Sequence, residues 1–145
     1  MDDFIDEGFL AGFGWSANFT YSPSTSKERD FYGVKLPLSD NSERQANLAL
    51  WYDKDGLQAR LAYNYRSERF ISTRSLNERS LARMAKPTGF LDASISYDVL
   101  DFLTASIQLT NITEESQEEY FQWEDLVDKR FYNERRVNLG VQAKF

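Results

Sequence analysis

The sequence predicts an all-β fold: an antiparallel, up-and-down segment of a transmembrane β-barrel, with about six strands that belong to a larger barrel. Three observations predict it. Apolar residues fall on every second position in six separate stretches, and no stretch is as regular at a helical period of about 3.6. The links between these stretches alternate strictly between long and short. Tyr, Phe and Trp gather near the ends of the stretches rather than scattering along them.

The first strand is expected over 13–21, with Phe13, Trp15, Ala17, Phe19 and Tyr21 on one face and Gly14, Ser16, Asn18 and Thr20 on the other. The second, 45–53, sets Ala46, Leu48, Leu50 and Tyr52 against Asn47, Ala49 and Trp51, where Trp51 breaks the polar row. The third, 57–67, is the cleanest, with Leu57, Ala59, Leu61, Tyr63 and Tyr65 against Gln58, Arg60, Ala62, Asn64 and Arg66. In the fourth and fifth, 89–99 and 102–111, Leu91, Ala93, Ile95, Tyr97 and Val99, then Leu103, Ala105, Ile107 and Leu109, alternate with Asp, Ser, Thr and Gln. The sixth, 136–145, carries Val137, Leu139, Val141, Ala143 and Phe145.

Asp53-Lys54-Asp55-Gly56 is a tight hairpin with an Asp-Gly turn, and Val99-Leu100-Asp101-Phe102 is a second short link. The links after Tyr21, Arg66 and Asn111 each run to about twenty residues, beyond hairpin length. All long loops therefore gather at one end of the sheet and both short turns at the other, the asymmetry of outer-membrane barrels with long outside loops and short periplasmic turns. With that polarity Phe13, Tyr52, Tyr97 and Phe145 mark the periplasmic interface, and Phe19, Tyr21, Tyr63 and Tyr65 the outer one. Strand charges Arg60, Arg66, Asp92, Arg136 and Lys144 all lie opposite the apolar row. That facing avoids the ~2–4 kcal/mol cost of Arg or Lys at the bilayer midplane. A soluble β-sheet ligand-binding module would alternate in the same way, but nothing in it would push aromatics to both strand ends.

The composition is compatible with this reading and closes other routes. The 145 residues are 41% hydrophobic, 28% charged and 15% aromatic, and form one domain, 1–145. Mean hydropathy is −0.58, and no run approaches the ~18 apolar residues of a membrane helix, but a scan of that kind is blind to strands. The absence of Cys and His removes disulfides, the usual zinc ligands, a thiol nucleophile and the commonest general base. No metal, cofactor or enzymatic activity is expected. A net charge of −6 argues against nucleic acid as a partner. No cationic, apolar leader follows Met1, so the sequence reads as a mature fragment or a truncated reading frame, unable to reach a membrane by itself.

GFGWSANFTY, the loop to Leu36-Pro37-Leu38, QANLALWYDKDGLQARLAYNYRS, GFLDASISYDV, LTASIQLTNITEES and the terminal RRVNLGVQAKF together resemble the late barrel strands of TonB-dependent receptors of the Gram-negative outer membrane. The resemblance covers nearly the whole chain as a pattern of strands. It departs at Glu134, where a Gly would be expected before Arg135-Arg136. It implies a plugged barrel of about 22 strands, of which this chain is the C-terminal part, with plug, leader and earlier strands absent. It further implies transport of a scarce ligand such as a siderophore, a corrinoid or an oligosaccharide. The implied partners are the remaining barrel and plug, the lipid bilayer, the outer-membrane assembly machinery, and the TonB energy-transducing complex through the absent N-terminal part.

Three groups of residues are candidates for function. Leu139, Val141, Ala143 and Phe145 resemble the C-terminal signal read by the assembly machinery, against the plainer reading of an ordinary strand that happens to end in Phe. In the third loop, 114–135, Tyr120, Phe121, Trp123, Glu124, Asp125 and Tyr132 could stack on a sugar or attract a cation, or could simply pack the loop onto its neighbours. The middle loop, 67–86, carries Arg69, Arg74, Arg79, Arg83 and Lys86, which would suit an anion or lipopolysaccharide phosphates if they are more than a solvated charge run. Asn18-Phe19-Thr20 and Asn111-Ile112-Thr113 match a glycosylation pattern but fall in or at the end of strands.

Overall fold

The computed structural model describes residues 9–144. Phe145 lies outside them. A short 3-10 turn, Phe9–Gly12, leads into β1 (Phe13–Tyr21), followed by β2 (Arg44–Lys54), β3 (Leu57–Arg66), β4 (Arg69–Leu76), β5 (Arg79–Ala85), β6 (Thr88–Leu100), β7 (Leu103–Thr110), β8 (Gln117–Phe121), β9 (Val127–Phe131) and β10 (Arg136–Ala143). The fold is all-β. Strands β1-β2-β3-β6-β7-β10 form one antiparallel sheet in that order, and β4-β5-β8-β9 form a second. The first sheet consists of the six strands expected from the alternation; it is open rather than closed into a barrel.

Register carries the alternation across the whole sheet. Trp15 lies opposite Leu50, Leu50 opposite Leu61, Leu61 opposite Ala93, Ala93 opposite Leu109, and Leu109 opposite Val137. One lateral row is thus apolar through all six strands. The neighbouring row on the other face runs Gly14, Trp51, Arg60, Ser94, Gln108, Asn138. Leu61, Ile95, Ile107 and Val141 therefore share one face, and Arg60, Asn64, Asp92, Gln108 and Asn138 share the other, as the pattern requires. A slip of one residue in any pair would invert that strand.

Two local features explain details of the sequence. Trp51, the break in the polar row, lies over Gly14, where a Cβ would collide with the indole. The large ring covers the strand's missing side chain, as aromatic residues do beside edge glycines. At the short-turn end Asp55 and Gly56 adopt φ of 52° and 77°, the paired left-handed conformations of a two-residue hairpin turn.

No apolar side chain of the six-stranded sheet is buried among the described residues. Leu61, in the middle of β3, keeps 40% of its surface bare, and Trp15 and Leu139 on the two outer strands keep 70% and 78%. The second sheet does not cover this face, so the arrangement is not a sandwich. The buried core lies elsewhere, at the long-loop end, where Leu36 from the first loop packs with Phe70 of β4 and Ala82 of β5, with Met84 against them.

The four-stranded sheet is built from the long loops and lay outside the six expected strands. β4 and β5 form a hairpin turning at Asn77 (φ 54°), β8 and β9 form a second, and β5 joins β8 through Arg83↔Phe121, Met84↔Tyr120 and Ala85↔Glu119. The first loop is attached by a bridge between Ser42 and Arg69. All three long loops thus condense into one structure above one end of the six-stranded sheet.

Candidate functional site

The loop structure is organised around Gln122, which follows β8 with a φ of 53°. Its Oε1 accepts from the Phe31 amide (3.2 Å) and the Ala82 amide (3.3 Å), and its Nε2 donates to Asp30 Oδ2 (3.1 Å). One side chain from the third loop therefore joins the first loop to β5. Asp30 in turn accepts from the Tyr32 and Val34 amides at 2.9 and 2.8 Å. Partial burial raises the Asp30 pKa. Hydrogen bonds from the Gln122 side chain and from Val34, Tyr32 and Gly33 together outweigh it, so the carboxyl sits below its usual value.

These bonds bring Phe31 and Tyr32 against Trp123. The Phe31 and Trp123 rings meet edge-on at 5.6 Å, and Trp123 Nε1 donates to the Tyr32 hydroxyl at 3.3 Å. Tyr32 and Trp123 remain exposed. Sequence reading placed Trp123 among the candidates but missed Phe31 and Tyr32, which are separated from it by about ninety residues. The local signal was a turn: Asp30 binds the following amides and Gly33 has a φ of 81°.

The other candidates divide. Tyr120 is buried, and its hydroxyl donates to Glu68 Oε2, so it belongs to the packing of β8. Burial first, then the Glu68 carboxylate, hold its pKa far above the ordinary phenol value. Phe121 is half-buried beneath the Arg74 guanidinium, 5.5 Å from the ring centroid. Glu124 and Asp125 are exposed in the β8–β9 turn, with Glu124 at 4.0 Å from Lys86. Tyr132 is exposed and lines a separate depression with Glu114 and Arg135. Leu139, Val141 and Ala143 lie exposed on β10, whose outer edge has no strand partner among the described residues.

Most basic residues of the middle loop are matched by carboxylates. Arg69 pairs with Asp40 at 2.9 Å, Arg83 with Glu119 and with Asp128 (2.9 Å), and Lys86 with Glu118 at 2.5 Å. Glu118 also accepts from Arg130 Nε at 2.6 Å. Hydrogen bonds from Lys86 and Arg130 lower its pKa. At the loop base, buried Asn111 donates to the Glu115 carbonyl at 3.1 Å and to that of Asn133, and its amide donates to Asp92 Oδ1 at 2.8 Å. An Asn with these partners is an anchor, not a free glycan acceptor.

The polar face of the large sheet holds a depression of about 390 Å³ lined by Arg60, Asn64, Asp92, Ser94, Gln108 and Thr110. No group of three or more His, Cys, Asp or Glu suited to a metal occurs among the described residues. No protein-family model, curated protein or solved structure matches the chain. Three surfaces are open to partners: the bare apolar face, the polar face behind it, and the condensed loops with their exposed rings.

Proposed function

We propose that the chain is a wall segment of an outer-membrane transport barrel, in which the apolar face contacts lipid, the polar face lines the interior, and the condensed loops face outside. The observation that carries this reading is the apolar row that continues through six strands with no second layer over it among the described residues. A contiguous apolar face left bare in this way is characteristic of a membrane or partner surface rather than of a soluble monomer. In hydrocarbon each Leu or Ile side chain returns about 1.5–3 kcal/mol relative to exposure.

Strand length supports the same placement. The six strands run from 8 to 13 residues, against about 9–11 for a tilted membrane-crossing strand. The ring of Phe13 meets that of Tyr52 at 4.8 Å at the short-turn end, and Phe19, Tyr21, Tyr63 and Tyr65 occupy the loop end of the same face. Aromatic residues at both ends of an apolar band are what two membrane interfaces favour. Open edges at β1 and β10 fit a segment that neighbouring strands complete, and the sequence resemblance to TonB-dependent receptors supplies a parent of that kind. Under this reading the Phe31, Tyr32 and Trp123 rings stand on the outer side, where an imported ligand first meets the barrel.

Partitioning tests the proposal. The expressed chain is expected to require detergent and to co-float with phospholipid vesicles. A monodisperse, water-soluble monomer would replace the barrel reading with a soluble ligand-binding module built on the loop aromatics.

A further inference from the structure

We propose that Arg74 and Arg79 form a binding site for a phosphate-class anion carried beside a flat ring. Arg69, Arg83 and Lys86 in the same hairpin region are all matched by carboxylates, whereas Arg74 and Arg79 are exposed and form no ion pair among the described residues. Both are held in place instead by rings. The Arg74 guanidinium lies 5.5 Å from the Phe121 centroid and that of Arg79 lies 4.6 Å from the Phe31 centroid. Stacking fixes the plane of a guanidinium while leaving its N–H groups free to donate.

The register places the two arginines on one face of the β4–β5 hairpin. Arg74 lies opposite Leu81 and Arg79 opposite Leu76, so the pair is diagonal, with a spacing of about 7–8 Å between such positions. The two ring-bearing segments meet at Gln122: Phe121 directly precedes it, and Phe31 donates its backbone amide to its side chain. Exposed Trp123 and Tyr32 adjoin Phe31. Two preoriented cations next to two open rings match a divalent oxyanion, whose oxygens can accept from both guanidinium forks, attached to an aromatic or sugar ring that stacks on Trp123. Such a phosphate occurs on soluble aryl ligands and on sugar headgroups of membrane lipids.

The site lies on the loop sheet. Its test in detergent therefore does not depend on whether the large sheet enters a bilayer, and each reading can fail without the other. Inorganic phosphate, phenyl phosphate and glucosamine 1-phosphate would be titrated against the full chain in zwitterionic detergent, with Trp fluorescence and calorimetry as readouts. Phenyl phosphate or the sugar phosphate is expected to bind more tightly than inorganic phosphate, and whichever is tighter distinguishes a soluble ligand from a lipid headgroup. R74Q/R79Q should weaken binding about tenfold or more for each guanidinium lost, R74K/R79K should recover it only in part because the fork is gone, and R135Q should leave it unchanged. Amide exchange at Ala82 and Gln122 verifies that the variants keep the loop sheet. Binding within twofold of the parent in R74Q/R79Q, an equal loss in R135Q, or no saturable binding by any of the three probes would overturn the proposal.

Discussion

Replacing Leu61 by Arg tests the facing of the sheet at its most sensitive point. Leu61 is midway between Leu57 and Tyr65 on β3, about 13 Å along the strand from either, taking ~3.3 Å per residue. It lies opposite Leu50 and Ala93 in the continuous apolar row. If that row faces lipid, the arginine sits near the bilayer midplane, at a cost of about 2–4 kcal/mol. At ~1.4 kcal/mol per tenfold, this is a fall of about 30-fold to several hundred-fold in the equilibrium for membrane-inserted protein. Asn64→Arg, on the polar face opposite Asn47 and Phe90, should change it by no more than about 0.5 kcal/mol. Urea titration of vesicle-inserted protein, with protease protection as a second readout, measures both. Equal effects at the two positions would refute the facing, and an effect confined to Asn64→Arg would mean that it is inverted.

Three further outcomes follow from the local structure. Gly14→Val should destabilise the β1–β2 pair by about 1–3 kcal/mol, because Trp51 fills the space that its Cβ needs, and the urea midpoint should fall accordingly. Gln122→Ala removes the acceptor for the Phe31 and Ala82 amides and the donor to Asp30, so hydrogen exchange at Phe31 and Ala82 should speed up while the six-stranded sheet is unaffected. Glu118 has a folded-state pKa below its usual 4.5, so its stabilising contribution is present above that value and is lost as pH falls through the lowered pKa. The β5–β8–β9 region should therefore loosen in acid, as read by exchange at Lys86, and Glu118→Gln should remove that dependence.

The large sheet was legible because one physical demand, an apolar face opposite a polar one, is written at period two in every strand. Its six strands fall within about two residues of their expected limits, as with 45–53 against Arg44–Lys54 and 89–99 against Thr88–Leu100. The last strand ends at Ala143, with Phe145 outside the described residues. The loop strands were illegible for the converse reason. The apolar residues of β4 and β5 (Phe70, Ile71, Leu76, Leu81, Ala82, Met84, Ala85) fall at irregular spacing among Arg and Ser. The loop strands are further joined by ion pairs, Glu118–Arg130 between β8 and β9, Lys86–Glu118 and Arg83–Asp128 back to the β5 side, which leave no hydrophobic period. Trp123 was visible as a loop aromatic, but its partnership with Phe31 and Tyr32 depends on Gln122, whose reach across the chain has no local signature.

The most direct test of the membrane-facing claim is depth-dependent quenching of single-tryptophan variants in vesicles containing brominated lipids. Trp15 projects from the apolar face, Trp51 lies over Gly14 on the opposite face, and Trp123 stands in the loops. If the apolar face meets lipid, bromines in the acyl chains quench Trp15 strongly and Trp51 and Trp123 little. Unquenched Trp15, or quenching of Trp51 equal to that of Trp15, would contradict it.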